Sequence, residues 1–166
     1  MQKTLGILGL GAKSTLFYIN ELNALYQQNT NLNSPSYELL ATDFDEINNM
    51  LPHPSSKLDA IMKKHIEKLV SLGVKSILIP NITIHETIDR ISDTISCVNI
   101  IHPLAETLIP IKQKYKEAVL IGSLYSMKAN YLKSFFARNG VKILLPSTQD
   151  MQFIDKIRTQ VYQDKV

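Results

Sequence analysis

Thr4-Leu5-Gly6-Ile7-Leu8-Gly9-Leu10-Gly11-Ala12-Lys13-Ser14-Thr15 is the stretch whose reading decides the fold. Thr4 to Leu10 is short and apolar, as a buried strand requires. From Lys13 to Gln27 the apolar residues Leu16, Ile19, Leu22, Leu25 and Tyr26 recur at helical spacing. A strand, a glycine-rich turn and a helix in that order form the opening unit of a parallel α/β protein.

The same rhythm continues outward. Tyr37 to Ala41 reads as a second strand, followed by an acidic segment and the loop Leu51-Pro52-His53-Pro54-Ser55-Ser56, whose prolines exclude a regular helix or a central strand. Ser56 is placed to cap a helix carrying Ile61, Ile66, Leu69 and Leu72, which ends at Gly73, where a left-handed residue is favoured. Val74 to Ile79 is then a strand, Ile84 to Ile91 a helix, Cys97 to Ile101 a strand and Pro103 to Tyr115 a helix. Ala118 to Ile121 is a strand, Met127 to Asn139 a helix closed by Gly140, Val141 to Leu145 a strand and Gln149 to Tyr162 a helix. Strands separated by helices imply right-handed crossovers and mostly parallel sheets. The polar stretch Ser92 to Ser96 suggests two similar α/β lobes, residues 1–95 and 96–166.

Composition narrows the class. A chain of 166 residues with 45% hydrophobic content buries a real core. The net charge is +3, unevenly spread: residues 1–60 hold three Lys and six acids, and the remainder holds fifteen Lys or Arg and nine acids. The lysines are dispersed through helices with no basic run interleaved with aromatics, so neither a nucleic acid nor a membrane is expected as partner. Cys97 is the only cysteine, which excludes an internal disulfide and a multi-cysteine zinc site; no metal or cofactor is expected, and Cys97 is expected to pack in its strand. The apolar start is too short for a signal segment or a membrane span, giving a cytoplasmic location by default.

Three strand-to-helix loops carry the candidate chemistry, because ligands of parallel α/β folds collect beyond the carboxyl ends of strands. The first, with Gly9 and Gly11, admits three readings. A phosphate loop needs Gly directly before Lys-Ser/Thr, where Ala12 stands. A dinucleotide fingerprint needs a third Gly, where Ser14 stands, and an acidic residue after the second strand, for which Asp43 is the nearest. The third reading is a tight turn capped by Ser14 or Thr15. The second loop, Ile79-Pro80-Asn81-Ile82-Thr83-Ile84-His85, offers Thr83 and His85 to a carboxylate, or Thr83 as a helix cap and His85 as a plain first-turn residue. The third, Gly122-Ser123-Leu124-Tyr125-Ser126-Met127, offers two hydroxyls, with Ser126 also suited to capping. Three such loops together suit a small anionic ligand.

Taken in order, Gly6 to Gly11, Ile79 to His85 and Leu120 to Met127 resemble the signatures of the aspartate/glutamate racemase family, and Asn139-Gly140-Val141 through Pro146, Asp150 and Ile154 is similar too. The resemblance spans nearly the whole chain. It implies a fold of two similar lobes, the second incomplete, and cofactor-independent inversion at the α-carbon of a small acidic amino acid, with one thiol removing the proton and another returning it on the opposite face. It also marks where this chain departs. The first thiol position falls on Asn81, whose neutral amide is no base near pH 7, and Ile82 replaces an asparagine. Thr83 and His85 match, and Ser123 and Ser126 keep hydroxyls where the family often has threonines. The second thiol position falls beyond Val166.

The expectation is therefore a truncated or divergent racemase-like protein with impaired two-cysteine chemistry. Its cleft is lined by Gly9, Gly11, Asn81, Thr83, Ser123 and Ser126, and His85 is the one catalytic candidate, able to exchange the α-proton on one face. The alternatives are a non-catalytic binder of a small acidic amino acid or dicarboxylate, and a phosphate or nucleotide binder using Gly11 to Thr15. A lobe short of its last strand is expected to expose an apolar sheet edge, open to covering by a homodimer or by another partner.

Overall fold

The structure, a computed structural model, describes residues 5–30, 34–51 and 53–163. Thr4 of the first expected strand and Pro52 of the expected loop lie outside the described residues. The chain divides into two units, Met1–His102 and Pro103–Val166.

The first unit holds β1 (Leu5–Gly9), α1 (Ala12–Thr30), β2 (Tyr37–Ala41), α2 (Phe44–Asn48), α3 (Ser56–Ser71), β3 (Ser76–Leu78), α4 (His85–Arg90), a short 3-10 helix (Ser92–Ile95) and β4 (Asn99–Ile101). Its sheet runs β2-β1-β3-β4 and every pairing is parallel. The register aligns Leu5 with Tyr37 on one side and with Ser76 on the other, and Ser76 with Asn99. All four strands therefore end at the same edge of the unit, where the loops after β1 and β3 lie side by side.

The core sits on one face of this sheet. Leu58, Met62, Ile66 and Leu69 of α3 fall at helical spacing and are all buried, in one core with Leu8 and Ile77 of the sheet, Ile84 just before α4 and Ile88 within it. Ser55 rather than Ser56 caps α3, its hydroxyl accepting from the Leu58 amide at 3.2 Å. Gly73 closes the helix with φ +85°, a conformation L side chains rarely adopt. An ion pair between Arg90 and Asp59 ties α4 to α3.

β1 lies so close to the turn before β3 that a Cβ on Gly6 would stand 2.9 Å from Val74 Cγ1. Gly6→Ala is therefore expected to destabilise the unit by about 1–3 kcal/mol through overpacking. A Val74→Ala background should relieve that penalty, and a urea double-mutant cycle with no coupling would refute the contact.

The second unit holds α5 (Pro103–Lys114), β5 (Glu117–Val119), α6 (Leu124–Lys128), α7 (Asn130–Arg138), β6 (Lys142–Leu144) and α8 (Thr148–Tyr162). Its described residues form one sheet of two parallel strands, with Glu117 opposite Lys142 and Val119 opposite Leu144. Gly140 takes φ +79° after α7, as its place at the helix end suggested.

Several expectations are corrected. The division falls after His102 rather than at 95/96, because β4 hydrogen-bonds to β3 and so completes the first sheet. Cys97 does not pack in a strand: it stands exposed in the turn before β4, and Val98 is the residue that turns inward. The acidic segment after β2 forms α2, for which Asp43 is the cap, its carboxylate accepting from the amides of Asp45 and Glu46. The helix expected from Met127 starts earlier, at Leu124, and breaks at Ala129, whose ψ of 120° is extended. Among the described residues, no helix is long and apolar enough to cross a membrane.

Candidate functional site

Only Leu10 and Gly11 separate the end of β1 from the start of α1. A phosphate-binding loop needs several consecutive amides curving around the anion, and two residues supply no such cradle. The nucleotide reading of Gly11 to Thr15 therefore lacks its loop, and the dinucleotide reading loses Asp43 to the α2 cap.

The turn is tight and built from short side chains. The Gly9 carbonyl accepts from the Thr42 amide at 3.1 Å and from its hydroxyl at 3.0 Å, which fastens the end of β1 to the segment after β2. A Cβ on Gly9 would meet Thr15 Cγ2 at 3.1 Å. Ser14 donates its hydroxyl to the Gly11 carbonyl, so it braces the first turn of α1 rather than capping it. Thr15 is the one buried residue of α1, and its Oγ1 lies buried beside Gly9 with no hydrogen-bond partner. The sequence suggested a capping role or a part in a phosphate loop for Thr15. Its enclosure depends on the sheet behind it.

Next to this turn, the loop after β3 is organised by Asn81. Its side-chain oxygen accepts from the Thr83 amide at 3.0 Å and the Ile84 amide at 3.2 Å, doing for the start of α4 what Thr83 was expected to do. The α4 cap residue itself, Ile84, makes no side-chain cap bond. Thr83 is half-buried in the same loop.

His85 points inward. It has no exposed surface, and its Nε2 lies 3.2 Å from the Ile79 carbonyl, a bond the ring makes as donor when that nitrogen carries the proton. Nδ1 is buried with no partner. The ring of His102 lies 4.5 Å away, centroid to centroid, and His102 Nε2 is 3.3 Å from an Asp89 carboxylate oxygen. Burial first, and then the neighbouring His102, push the His85 pKa down to about 4, against a smaller upward pull from the Ile79 carbonyl and Asp89. The imidazole is thus neutral near pH 7 and walled off. The His85 side chain fixes its own loop and presents no surface to solvent.

In the second unit, Ser123 and Ser126 follow β5 at its carboxyl end. Ser123 caps α6 in the place expected of Ser126: its Oγ accepts from the Ser126 amide at 3.0 Å and lies 2.8 Å from the Ser126 hydroxyl. The Leu124 amide donates to Asp155 of α8 at 3.1 Å, and Arg158 holds the same carboxylate oxygen at 2.9 Å. Burial works to raise the Asp155 pKa, but the Leu124 amide and Arg158 outweigh it and leave it below the ordinary value. Asp155, missed from the sequence because 31 residues separate it from Leu124, ties this loop to α8 and occupies the Leu124 amide.

The candidate residues thus fall into two groups. Gly9, Gly11, Asn81, Thr83 and His85 share one end of the first sheet, and Ser123 and Ser126 share one end of the second. Cys97 precedes β4, so the parallel register places it at the opposite end of the first sheet from Gly9 and Asn81.

No family model matches the chain, and no curated protein matches it. Solved structures do. An Asp/Glu racemase candidate from Yersinia pestis is 22% identical with a TM-score of 0.83, over 95% of this chain and 70% of that one. An aspartate racemase homologue from Pyrococcus horikoshii OT3 is 19% identical with a TM-score of 0.83 over the same shares. The aspartate racemase of Picrophilus torridus is 16% identical with a TM-score of 0.63, over 98% of this chain and 75% of that one. At such identities the likeness speaks for architecture, and this chain has the fold of these racemase structures.

Proposed function

We infer that this chain is a divergent racemase-fold protein that holds a small acidic amino acid or dicarboxylate beyond the carboxyl ends of its parallel strands, without two-base inversion of the α-carbon. The observation that carries the reading is Asn81. Where the racemase resemblance places the first thiol, its side-chain oxygen is bonded to two amides of its own loop. A neutral amide held in that way removes no α-proton.

Two further features support the loss of the chemistry. Cys97 stands at the far end of the sheet from Asn81, and the His85 imidazole is enclosed. Retained binding is supported by the small residues Gly9 and Gly11 and the unmatched Thr15 hydroxyl beside them.

The test is direct. Purified chain incubated with L- and D-aspartate and glutamate in deuterated water should leave the α-proton signal unchanged, while calorimetry across acidic amino acids and dicarboxylates registers saturable binding. Racemisation of either amino acid would overturn the lost chemistry. Silence across the whole acid series in calorimetry would overturn the binding.

A further inference from the structure

The loop that bears Asn81 is closed through one carbonyl. Ile79, directly after β3, accepts from the Asn81 amide at 2.7 Å and lies 3.2 Å from His85 Nε2, so its oxygen ties the end of the strand to the first residue of α4. Inside that closure Asn81 holds the Thr83 and Ile84 amides. α4 itself is short, six residues, and its cap residue makes no side-chain cap bond.

One protonation state of His85 fits this closure. With Nε2 donating to Ile79, Nδ1 carries a lone pair, and that atom is buried with no partner. A proton there would be a donor without an acceptor and a charge without water, both costly in an enclosed site. The neighbours give no relief. His102, directly after β4, sets its ring 4.5 Å from that of His85, and Asp89 of α4 turns an oxygen to His102 at 3.3 Å. α3, packed on α4, turns Asp59 to Arg90. Protonation and the closed loop therefore exclude one another. The ring titrates at about 4 when closed in, against 6.5 when free of its surroundings.

We propose that His85 is an acid-released latch: its neutral ring fastens the loop after β3 and α4 to the end of the sheet, and a proton taken from water at Nδ1 when that segment opens holds it open, while α3 and the rest of the first unit stay folded. The latch acts on the segment that carries Asn81, and it stands apart from the choice of ligand.

Native-state hydrogen exchange on the whole chain, read by NMR between pH 7 and 5 and in dilute urea, tests it without any ligand. At each pH the Thr83, Ile84 and Ile88 amides should be less protected than those of Ile66 and Leu69 on α3, and indifferent to dilute urea, because little surface is exposed when a short segment opens. The α3 amides should lose protection with urea. After correction for the intrinsic exchange rate, protection of the three segment amides should fall about 20-fold from pH 7 to 5, the factor set by a ring that titrates at about 4 closed and 6.5 open. In His85→Phe these amides should be less protected at pH 7 and lose that pH dependence. Segment amides that respond to urea as steeply as α3, protection that is level from pH 7 to 5, or a His85→Phe chain that keeps the fall would each overturn the proposal. The first two outcomes are read on the wild-type chain, so the proposal can fail even where the variant does not fold.

Discussion

Replacing Leu69 by alanine is expected to lower the unfolding free energy of the first unit by about 3–5 kcal/mol, the range for a leucine removed from a close-packed site that cannot collapse. Leu69 is fully buried on α3, and its Cδ1 would lie 3.4 Å from a Cβ on Gly6, so it fills the seam between α3 and β1. Its carbonyl also accepts from the Leu72 amide at 3.1 Å, in the turn that ends the helix. The comparison is Leu25→Ala on α1. That residue is 55% exposed, so the change should stay within about 0.5 kcal/mol. Urea unfolding of both variants measures the difference. Equal losses would mean that α3 and α1 bury their leucines alike, contrary to the packing described.

That contrast shows what the sequence could and could not disclose. α1 and α3 carry the same helical spacing of apolar residues, and both helices form where the spacing put them. Spacing defines a stripe but is silent on what the stripe meets. α3 lays four residues into the core, whereas α1 buries Thr15 alone and leaves Leu16, Phe17 and Leu25 exposed. Glycine positions were more informative: Gly73 and Gly140 both take positive φ at helix ends, because that geometry is local. Strand pairing is not local. Nothing in Asn99 to Ile101 announces that the strand joins the first sheet, and so the lobe boundary was drawn seven residues early.

The candidate site divides along the same line. Which loops follow strands was legible, since it needs only the order of elements. What each polar group does there was not, because a loop side chain chooses among partners a few residues away. Asn81, Ser123 and Asp43 were singled out for ligands, and each satisfies amides at the start of its own helix. Asp155 carries no local signal, though it binds the third loop, and Thr15, read as a cap or a phosphate-loop residue, lies buried beside Gly9.

Folding stability is expected to fall as the pH drops from about 7 to 4, by about 3 kcal/mol in total, and most of that loss should disappear in His85→Phe. The sign follows from proton uptake. In the folded chain burial and His102 hold the His85 pKa at about 4, so the ring stays neutral and its Nε2 keeps the Ile79 carbonyl. In the unfolded chain the same ring titrates near 6.5. Between those values the unfolded state binds one proton more, and each pH unit downward favours it by up to about 1.4 kcal/mol. Above pH 6.5 the contribution is fully present. His65 titrates in the same direction, lowered by its own burial and by Lys64 and Lys68, so His65→Gln measures its separate share of the slope. Urea titrations between pH 7 and 5, a window above the ordinary carboxylate range, should show the full slope in wild type, a partial loss of it in His65→Gln and a much flatter line in His85→Phe. The phenylalanine variant also loses the bond to Ile79, so its stability at pH 7 is lower throughout; the slope, and not the intercept, reports the proton. An unchanged slope in His85→Phe would mean that the imidazole is charged or solvated in the folded chain. It would then be open to the α-proton chemistry that its enclosure denies it.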